Sequence, residues 1–293
     1  MMKSRQDSAA ARRRDRIWTI VLVGVFLVGL LILLYPTVSN WWNARVQTRA
    51  VAAYDAAATE LTDSAYAEYL AAAEAYNERL AEIGSAEAIV SPELVEEGYE
   101  ELLDISDTGV MGYVTIAKIN VQLPIYHGTD SAVLQVGAGH LEGSSLPVGG
   151  ESTHSVISAH RGLPSSLLFT NLDKLELGDT FTVTVLNRVL TYQVDRISVV
   201  LPDELENLYI EEEKDYCTLM TCTPYGINSH RLLVRGVRVG DSEEAVTRVS
   251  ANEKQMDLIL VASAAAVPLL LLVLVGLLLN TRRRKKREAN HDE

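Results

Sequence analysis

Three residues of this chain have side chains suited to nucleophilic catalysis, namely Cys222, Arg231 and His160. Residues 216–221 are rich in β-formers, so Cys222 stands where a predicted strand gives way to a loop. Arg231 begins the next predicted strand nine residues later, which places a guanidinium across the loop from the thiol. Such a pair can serve as nucleophile and oxyanion donor, but it needs a base. His160, which closes the apolar run 156–159, is the best candidate for that base.

The residue pattern alone leaves alternatives open. His230 adjoins Arg231, and because neighbours on a strand face opposite ways, only one of the two can easily face Cys222. A chance pairing of cysteine and arginine on the surface of a non-catalytic β domain also fits the pattern. The remaining histidines fall in a turn, a glycine-rich loop, the far end of a strand and the C-terminal tail: His127, His140, His154 and His291.

Cysteine usage argues against a disulfide and against a metal site. The chain has two cysteines, Cys217 and Cys222. Five steps along an extended strand cover roughly 16 Å, beyond disulfide reach, and an odd spacing sends the two side chains to opposite faces. Neither cysteine has Cys or His partners at zinc spacing. We therefore expect no internal disulfide, no bound metal and no cofactor.

Two uncharged apolar runs, 17–35 and 258–279, predict membrane helices. At about 1.5 Å per residue they reach roughly 28 and 33 Å, enough to span the hydrocarbon core. A cleaved signal peptide is the alternative for the first run, but that run is longer than the usual apolar region of a signal peptide and lacks a good cleavage site. Trp41 and Trp42 suit an interfacial belt instead.

Charge predicts the orientation of these spans. The net charge is −13, yet residues 1–16 carry six basic against two acidic side chains, and residues 281–293 carry six against three. By the positive-inside rule both termini are cytoplasmic and the acidic middle is exported. The prediction is a two-pass protein of the cell membrane with an extracellular domain. A basic segment beside a span is most simply a topogenic flank, so nucleic-acid binding is not expected.

Between the spans the pattern changes twice. Residues 43–83 are alanine-rich without proline or glycine, and they predict a helical stalk that packs lightly on the domain. Residues 85–108 are acidic and irregular. From Gly112 onward, short β-type runs separated by turns predict an all-β sandwich or barrel, with a short helix near 165–172. The predicted strands lie near 113–119, 122–126, 154–159, 180–186, 189–201, 216–221 and 231–239.

Several blocks within residues 109–239 resemble the class C sortases, the pilin-polymerising transpeptidases of Gram-positive bacteria. The Thr-Leu-x-Thr-Cys motif at 218–222, with Arg231 nine residues after its cysteine, is specific to sortases, and the blocks 127–129 and 139–143 point to the pilin class. The matching blocks are 123–129 (LPIYHGT), 139–143 (GHLEG), 158–164 (SAHRGLP), 172–175 (LDKL) and 218–226 (TLMTCTPYG).

This resemblance implies a fold and a set of roles. The fold is mainly β, an eight-stranded sortase-type β-barrel with an N-terminal helical segment and two flanking transmembrane helices. Cys222 becomes the nucleophile that carries the acyl thioester, His160 the general acid/base, and Arg231 the oxyanion and transition-state stabiliser. The implied organisation is a cytoplasmic tail (1–16), a span (17–35), a stalk and lid region (36–108), the catalytic barrel (109–239), a linker (240–256), a second span (257–280) and a basic tail (281–293).

The implied reaction is cysteine transpeptidation, a peptidase-type chemistry, at a Leu-Pro-x-Thr-Gly-like sorting signal. The partners would be pilin subunits that carry this signal and an acceptor lysine. Two alternatives remain: a housekeeping sortase that attaches proteins to a peptidoglycan precursor, and a non-enzymatic membrane-tethered β scaffold. Class C enzymes usually cover the site with a lid anchored by an Asp-Pro-aromatic motif. Residues 85–108 contain no Asp-Pro, so no lid residue is assigned.

Overall fold

The computed structural model describes residues 2–95, 98–106 and 108–241. Its α-helices are α1 (Met2–Glu60), α2 (Asp63–Ile83), α3 (Ser85–Val90) and α4 (Ser131–Val136). Its strands are β1 (Val110–Ile116), β2 (Val121–His127), β3 (Ala138–His140), β4 (Thr153–Ser158), β5 (Thr180–Val185), β6 (Arg188–Val200), β7 (Asp215–Thr223) and β8 (His230–Asp241). Short 3₁₀ turns lie at Pro92–Leu94, Tyr99–Glu101, Ala117–Ile119, Leu172–Lys174 and Glu206–Leu208.

Helix α1 contains the first predicted span. From Ile17 onward it is long and apolar enough to cross a membrane, and within the described part of the chain it is the one helix with that property. The second predicted span, 258–279, lies outside the described residues. The chain divides into two compact units, one that includes the residues up to Ser39 and a larger one that begins at Asn40. The larger unit contains the end of α1 and all the strands.

Helix α2 packs more closely on the barrel than its alanine-rich composition predicts. Thr62 begins it by accepting a hydrogen bond from the backbone of Ala65 at 3.2 Å, and Gly84 ends it with φ 95°. Tyr76 and Leu80 join the main hydrophobic core. Asn77 donates to the carbonyl of Leu146 at 3.2 Å and accepts from its N–H at 2.7 Å. The prediction of light packing was therefore wrong for this helix.

The eight strands form a closed barrel in the order β1-β2-β3-β4-β7-β8-β6-β5. The pairs β2–β3 and β4–β7 are parallel, and the other neighbouring pairs are antiparallel. Every strand contributes inward-facing apolar residues to one core: Val114, Leu123, Ala138, Ile157, Phe181, Tyr192, Leu219 and Val234 are among them. The eight-stranded barrel implied by the resemblance is confirmed, and the sandwich alternative is excluded.

Two local predictions were incomplete or wrong. Strand β3 lies in the stretch that composition marks as a glycine loop, and Gly139 fits there because a Cβ would lie 2.2 Å from the carbonyl oxygen of Gly128. The short helix expected near 165–172 is absent, since that stretch forms turns that lead into the 3₁₀ turn Leu172–Lys174. Polar side chains of α1 hold these turns: Asn40 accepts from the N–H of Leu167 at 3.0 Å and Asn43 donates to the carbonyl of Ser165 at 2.9 Å.

Candidate active site

Strands β4, β7 and β8 are neighbours in the barrel and bring the three predicted residues to one face. Cys222 and Arg231 are direct partners in the antiparallel β7–β8 pairing. Partners in such a pair have Cα atoms about 4.5–5.5 Å apart and side chains on the same face. The thiol and the guanidinium predicted from the sequence therefore stand next to each other at the end of the β7–β8 hairpin.

His160 reaches the same face from the other side of β7. The parallel β4–β7 register ends at Ser158 opposite Met220, and two further residues bring His160 level with Cys222. Hydrogen bonds continue the pairing past the end of β4: the N–H of Ala159 donates to Met220 at 3.1 Å, and the hydroxyl of Thr221 donates to Ala159 at 2.7 Å. Side chains alternate along a strand, and the odd-numbered residues Cys217 and Leu219 of β7 face the core. The even-numbered Cys222 therefore lies on the outside of the barrel.

The reactive side chains are partly exposed and have few hydrogen bonds. In the described part of the chain, neither the imidazole of His160 nor the thiol of Cys222 has a hydrogen-bond partner. Burial lowers the pKa of His160 from its ordinary value. Among the described residues, the guanidinium of Arg231 donates only to nearby backbone carbonyls, those of Asn228 at 3.5 Å and His230 at 3.3 Å. These three groups are therefore free to engage a substrate.

An apolar strip continues from these residues along the same outer face. We define it by its buried members, Val156, Val200, Leu208 and Leu233. Met220 and Leu205 pack against its edges, and so does Ile89 of α3. These neighbours cover the strip, whose four defining side chains are all buried in this structure. Ile89 and Leu205 had no distinguishing signal in the sequence, because each is brought to the strip by tertiary packing.

The other described histidines lie away from the thiol or on the opposite face. His230 pairs with Thr223 and therefore points away from the face of Cys222, which argues against it as the base. His127 has both ring nitrogens against backbone carbonyls, those of Gly109 at 3.1 Å and Leu102 at 2.6 Å. His291 lies outside the described residues.

Two buried histidines are fully bonded. His154 donates from Nδ1 to the carbonyl of Tyr209 at 2.9 Å and accepts at Nε2 from the hydroxyl of Thr218 at 2.7 Å. His140 donates from Nε2 to the carbonyl of Ser145 at 2.9 Å and accepts at Nδ1 from the hydroxyl of Tyr99 at 2.7 Å. Burial lowers the pKa of each to about 4. Both imidazoles are therefore neutral structural groups at pH 7.

Cys217 and Cys222 are both free thiols. Cys217 faces the core and is fully buried, and burial raises its pKa well above the ordinary value for cysteine. The described residues contain no group of three or more His, Cys, Asp or Glu side chains that could hold a metal ion.

Comparison with known proteins connects this site to one family. A sortase domain model matches residues 114–239. The crystal structure of sortase C1 from Streptococcus agalactiae is 50% identical with a TM-score of 0.62, and the match covers 66% of this chain and 100% of that one. Sortase C of Streptococcus pneumoniae is 42% identical with a TM-score of 0.59, covering 66% and 98%.

Curated relatives match over a shorter stretch. Sortase D of Bacillus subtilis is 32% identical over 131 residues, which are 44% of this chain. Sortase A of Streptococcus agalactiae is 32% identical over 117 residues, which are 39% of this chain. The chain spans 63% of the length of the first and 47% of the second.

Proposed function

Because the chain belongs to the sortase family and its structural neighbours are class C sortases, we propose that it is a membrane-anchored cysteine transpeptidase that joins pilin subunits covalently. One observation carries this proposal, namely that β4, β7 and β8 align His160, Cys222 and Arg231 side by side on one outer face. The pilin assignment draws on the S. pneumoniae neighbour, whose structure is described in connection with pilin substrate specificity.

Acylation of the enzyme is the first half of the proposed reaction. A proton passes from the thiol of Cys222 to the imidazole of His160, and the thiolate attacks the threonine carbonyl of a Leu-Pro-x-Thr-Gly-like signal. The carbonyl π electrons move to oxygen, and Arg231 donates hydrogen bonds to that oxyanion. When the intermediate collapses, the C–N bond to glycine breaks and imidazolium His160 gives its proton to the departing amine. The product is a thioester on Cys222.

Transfer to a lysine is the second half. The neutral ε-amine of a pilin lysine attacks the thioester carbonyl, and His160 accepts the proton that this nitrogen loses. Collapse of the second intermediate breaks the C–S bond, forms an isopeptide bond and returns the thiolate. An oxyanion donor such as Arg231 is worth on the order of 3 kcal/mol, or about a hundredfold in rate.

The apolar strip supports a substrate with apolar residues before its threonine. Val156 and Leu233 lie on the same outer face as the reactive groups but are covered, at 0% and 2% exposed, by the residues packed against the strip. A leucine and a proline of the substrate would pack there, with the threonine carbonyl at Cys222, once this cover has moved. Ile89 of α3 packs against this strip, and a substrate that uses the whole strip has to displace it. We therefore propose that the segment around α3 serves as the lid, although it lacks an Asp-Pro anchor.

Membrane anchoring gives the acyl transfer its setting. Helix α1 supplies one apolar segment of sufficient length, and the run 258–279 would supply a second, with both termini cytoplasmic. Water competes with lysine for the thioester at roughly 55 M, so the acceptor has to be held near the site. Enzyme and pilin tethered to one membrane surface raise each other's effective concentration.

Mass spectrometry of the acyl-enzyme tests the proposed chemistry. The full chain in detergent is incubated with a synthetic peptide that contains Leu-Pro-Glu-Thr-Gly and is digested without a reducing agent. We expect an acyl adduct on Cys222, none on Cys217 and none in Cys222→Ala. Arg231→Lys should form the adduct about a hundredfold more slowly, because an ammonium cannot reproduce the planar fork. Absence of any adduct would favour the non-enzymatic scaffold.

The acceptor amine separates a pilin polymerase from a housekeeping sortase. In a strain that carries Cys222→Ala, a pilin polymerase loses its high-mass pilin ladders. A housekeeping enzyme instead leaves ladders in place and loses attachment of surface proteins to the wall. Ladders that persist in this strain would contradict the pilin assignment while leaving the thioester chemistry intact.

A further inference from the structure

Arg161, the residue after His160, has a nearly buried side chain with two specific partners. Its Nη2 donates to Oδ2 of Asp173 at 2.5 Å, and its Nη1 donates to the hydroxyl of Thr223 at 3.2 Å. The side chain is 10% exposed, whereas that of Asp173 is 46% exposed. The guanidinium is therefore largely shielded from solvent, and each of its two terminal nitrogens is held by a hydrogen bond.

These partners join the two loops that carry the proposed catalytic pair. Thr223 follows Cys222 directly at the end of β7, and Arg161 follows His160 directly after β4. The hydrogen bond between them thus connects the backbone next to the imidazole with the backbone next to the thiol. Asp173 belongs to the 3₁₀ turn Leu172–Lys174, which fixes the arginine from the other side.

Further contacts hold the same two loops together on either side of Arg161. Before it, Ala159 bonds to Met220 through its backbone N–H at 3.1 Å. After it, Gly162 approaches Tyr225 so closely that a Cβ would lie 3.0 Å from the ring. Gly162 also has φ 77°, a conformation that other residues rarely adopt. Because the imidazole of His160 has no hydrogen bond within the described residues, its position depends on these backbone contacts.

The stability of the fold alone does not account for an arginine at this position. Its Nε is buried without a hydrogen-bond partner within the described residues. An unsatisfied buried donor lowers stability. A side chain that connects two catalytic loops at such a cost is better explained by what it positions.

We propose that Arg161 is a positioning residue that sets the distance between His160 and Cys222 for proton transfer. This inference rests on the proposed acyl transfer. The physical basis is that a displacement of about 1 Å at a reacting pair costs roughly a hundredfold in rate. Lysine can replace arginine only in part here, because one ammonium cannot bond both Asp173 and Thr223 with the geometry of a planar fork.

Steady-state kinetics of the full chain in detergent test the proposal, with a quenched Leu-Pro-Glu-Thr-Gly peptide and hydroxylamine as acceptor. Arg161→Gln should lower kcat roughly 10- to 100-fold with KM changed less than about twofold. Thr223→Val removes one hydrogen bond and should cost roughly 3- to 10-fold. The double variant should be no slower than Arg161→Gln alone, because both changes break the same connection.

Lys118→Gln is the matched control, because it removes a cation from the exposed ion pairs with Glu176 and Asp179 and should leave kcat unchanged. Arg161→Lys should fall between the wild type and Arg161→Gln. Full activity of Arg161→Gln, or effects of the Arg161 and Thr223 substitutions that simply multiply, would overturn the proposal. Thr223→Val is a small change that keeps the test valid if Arg161→Gln does not fold.

Alkylation of Cys222 provides a second readout that does not need acyl transfer. Iodoacetamide reacts with the thiolate, and because Cys217 is fully buried the rate reports on Cys222. The pH profile of Arg161→Gln should move toward that of His160→Ala, since in both variants the imidazole no longer assists ionisation. An unchanged pH profile of alkylation in Arg161→Gln would overturn the positioning role. If the peptide is turned over by neither the wild type nor any variant, that result would count against the proposed function alone.

Discussion

His154, near the start of β4, and His160, two residues after its end, face the same outer side of the barrel but differ in almost every other respect. His154 is 1% exposed and has a partner on each ring nitrogen. His160 is partly exposed and has no side-chain hydrogen bond within the described residues. An imidazole with both nitrogens engaged cannot exchange a proton without losing a bond, whereas a free one can take and return protons in each cycle.

The same contrast appears in the surroundings of the two rings. Thr218 and Tyr209 hold His154, while Tyr216 packs edge-on against it with ring centroids 5.5 Å apart. At His160, by contrast, the backbone provides the positioning: the N–H of Phe169 donates to its carbonyl at 3.1 Å. The fold therefore fixes the main chain around the proposed catalytic base and leaves the ring unbonded. At the structural histidine it fixes the ring itself.

Alanine substitution at the two positions should separate catalysis from stability. His160→Ala should lower acyl transfer roughly 10²- to 10⁴-fold, the usual contribution of a general acid/base, with little change in the thermal midpoint. His154→Ala leaves the carbonyl of Tyr209 without its donor and opens a cavity. We expect about 3 kcal/mol of lost stability and nearly normal activity per folded molecule. Peptide turnover and thermal unfolding of the full chain in detergent measure both effects.

The contrast fails if His154→Ala, shown to be folded at the assay temperature, loses as much activity as His160→Ala. That result would give the structural imidazole a part in the reaction. The reverse outcome, a large loss of stability in His160→Ala with activity intact, would remove His160 from the proposed mechanism.

Acid should destabilise the fold through its buried imidazoles. His140 and His154 have pKa values lowered by burial to about 4, against about 6.5 in an unfolded chain. Above about pH 6.5 both states bind no proton at these sites. Between about pH 6.5 and 4 the unfolded state binds more protons than the folded state. The free energy of unfolding therefore decreases as the pH is lowered through this range.

Each imidazole should cost about 2 kcal/mol by pH 5, a shift of roughly 4–8 °C in the thermal midpoint. Burial raises the pKa of Asp215, so near and above pH 4 the folded state binds a proton at this carboxyl more readily than the unfolded state and gains stability as the pH falls. The effect of the two histidines is therefore measured most clearly between pH 7 and 5. His154→Asn keeps a donor for Tyr209 and cannot titrate. Its thermal midpoint should fall less steeply with pH than that of the wild type, and an equal slope would contradict the origin assigned to the effect.

How far the sequence predicts this molecule depends on whether the signal is local. The β-formers along 216–221 and at 231–234 predict two strands, and their loop places Cys222 opposite Arg231. Placing His160 next to them needs the parallel β4–β7 pairing between residues 62 positions apart, which no local pattern reveals. The resemblance of sequence blocks, and not periodicity, supplied that step.

Other features were missed for the same physical reason. Strand β3 has three residues, too few to show a period, and is defined by pairing with both β2 and β4. His140 lies in it fully buried, although its glycine neighbours suggest an exposed loop. Helix α2 is alanine-rich, which suggests a lightly packed stalk, but Tyr76 and Leu80 bring it into the core. The link from Arg161 to Asp173 and Thr223 likewise depends on tertiary contacts between separate sequence blocks.

The two cysteines of β7 repeat the comparison on a smaller scale. Cys222 is on the outer face next to His160 and Arg231, whereas Cys217 is in the barrel core opposite Ser155 of β4. Burial raises the pKa of Cys217, which keeps it a thiol. Cys217→Ala should cost about 1 kcal/mol of stability and leave peptide turnover within about twofold of the wild type. Iodoacetamide should still add one group per chain, on Cys222. A second modified cysteine in the folded wild type, or a large loss of turnover in Cys217→Ala, would show that the interior thiol is not the inert partner in this pair.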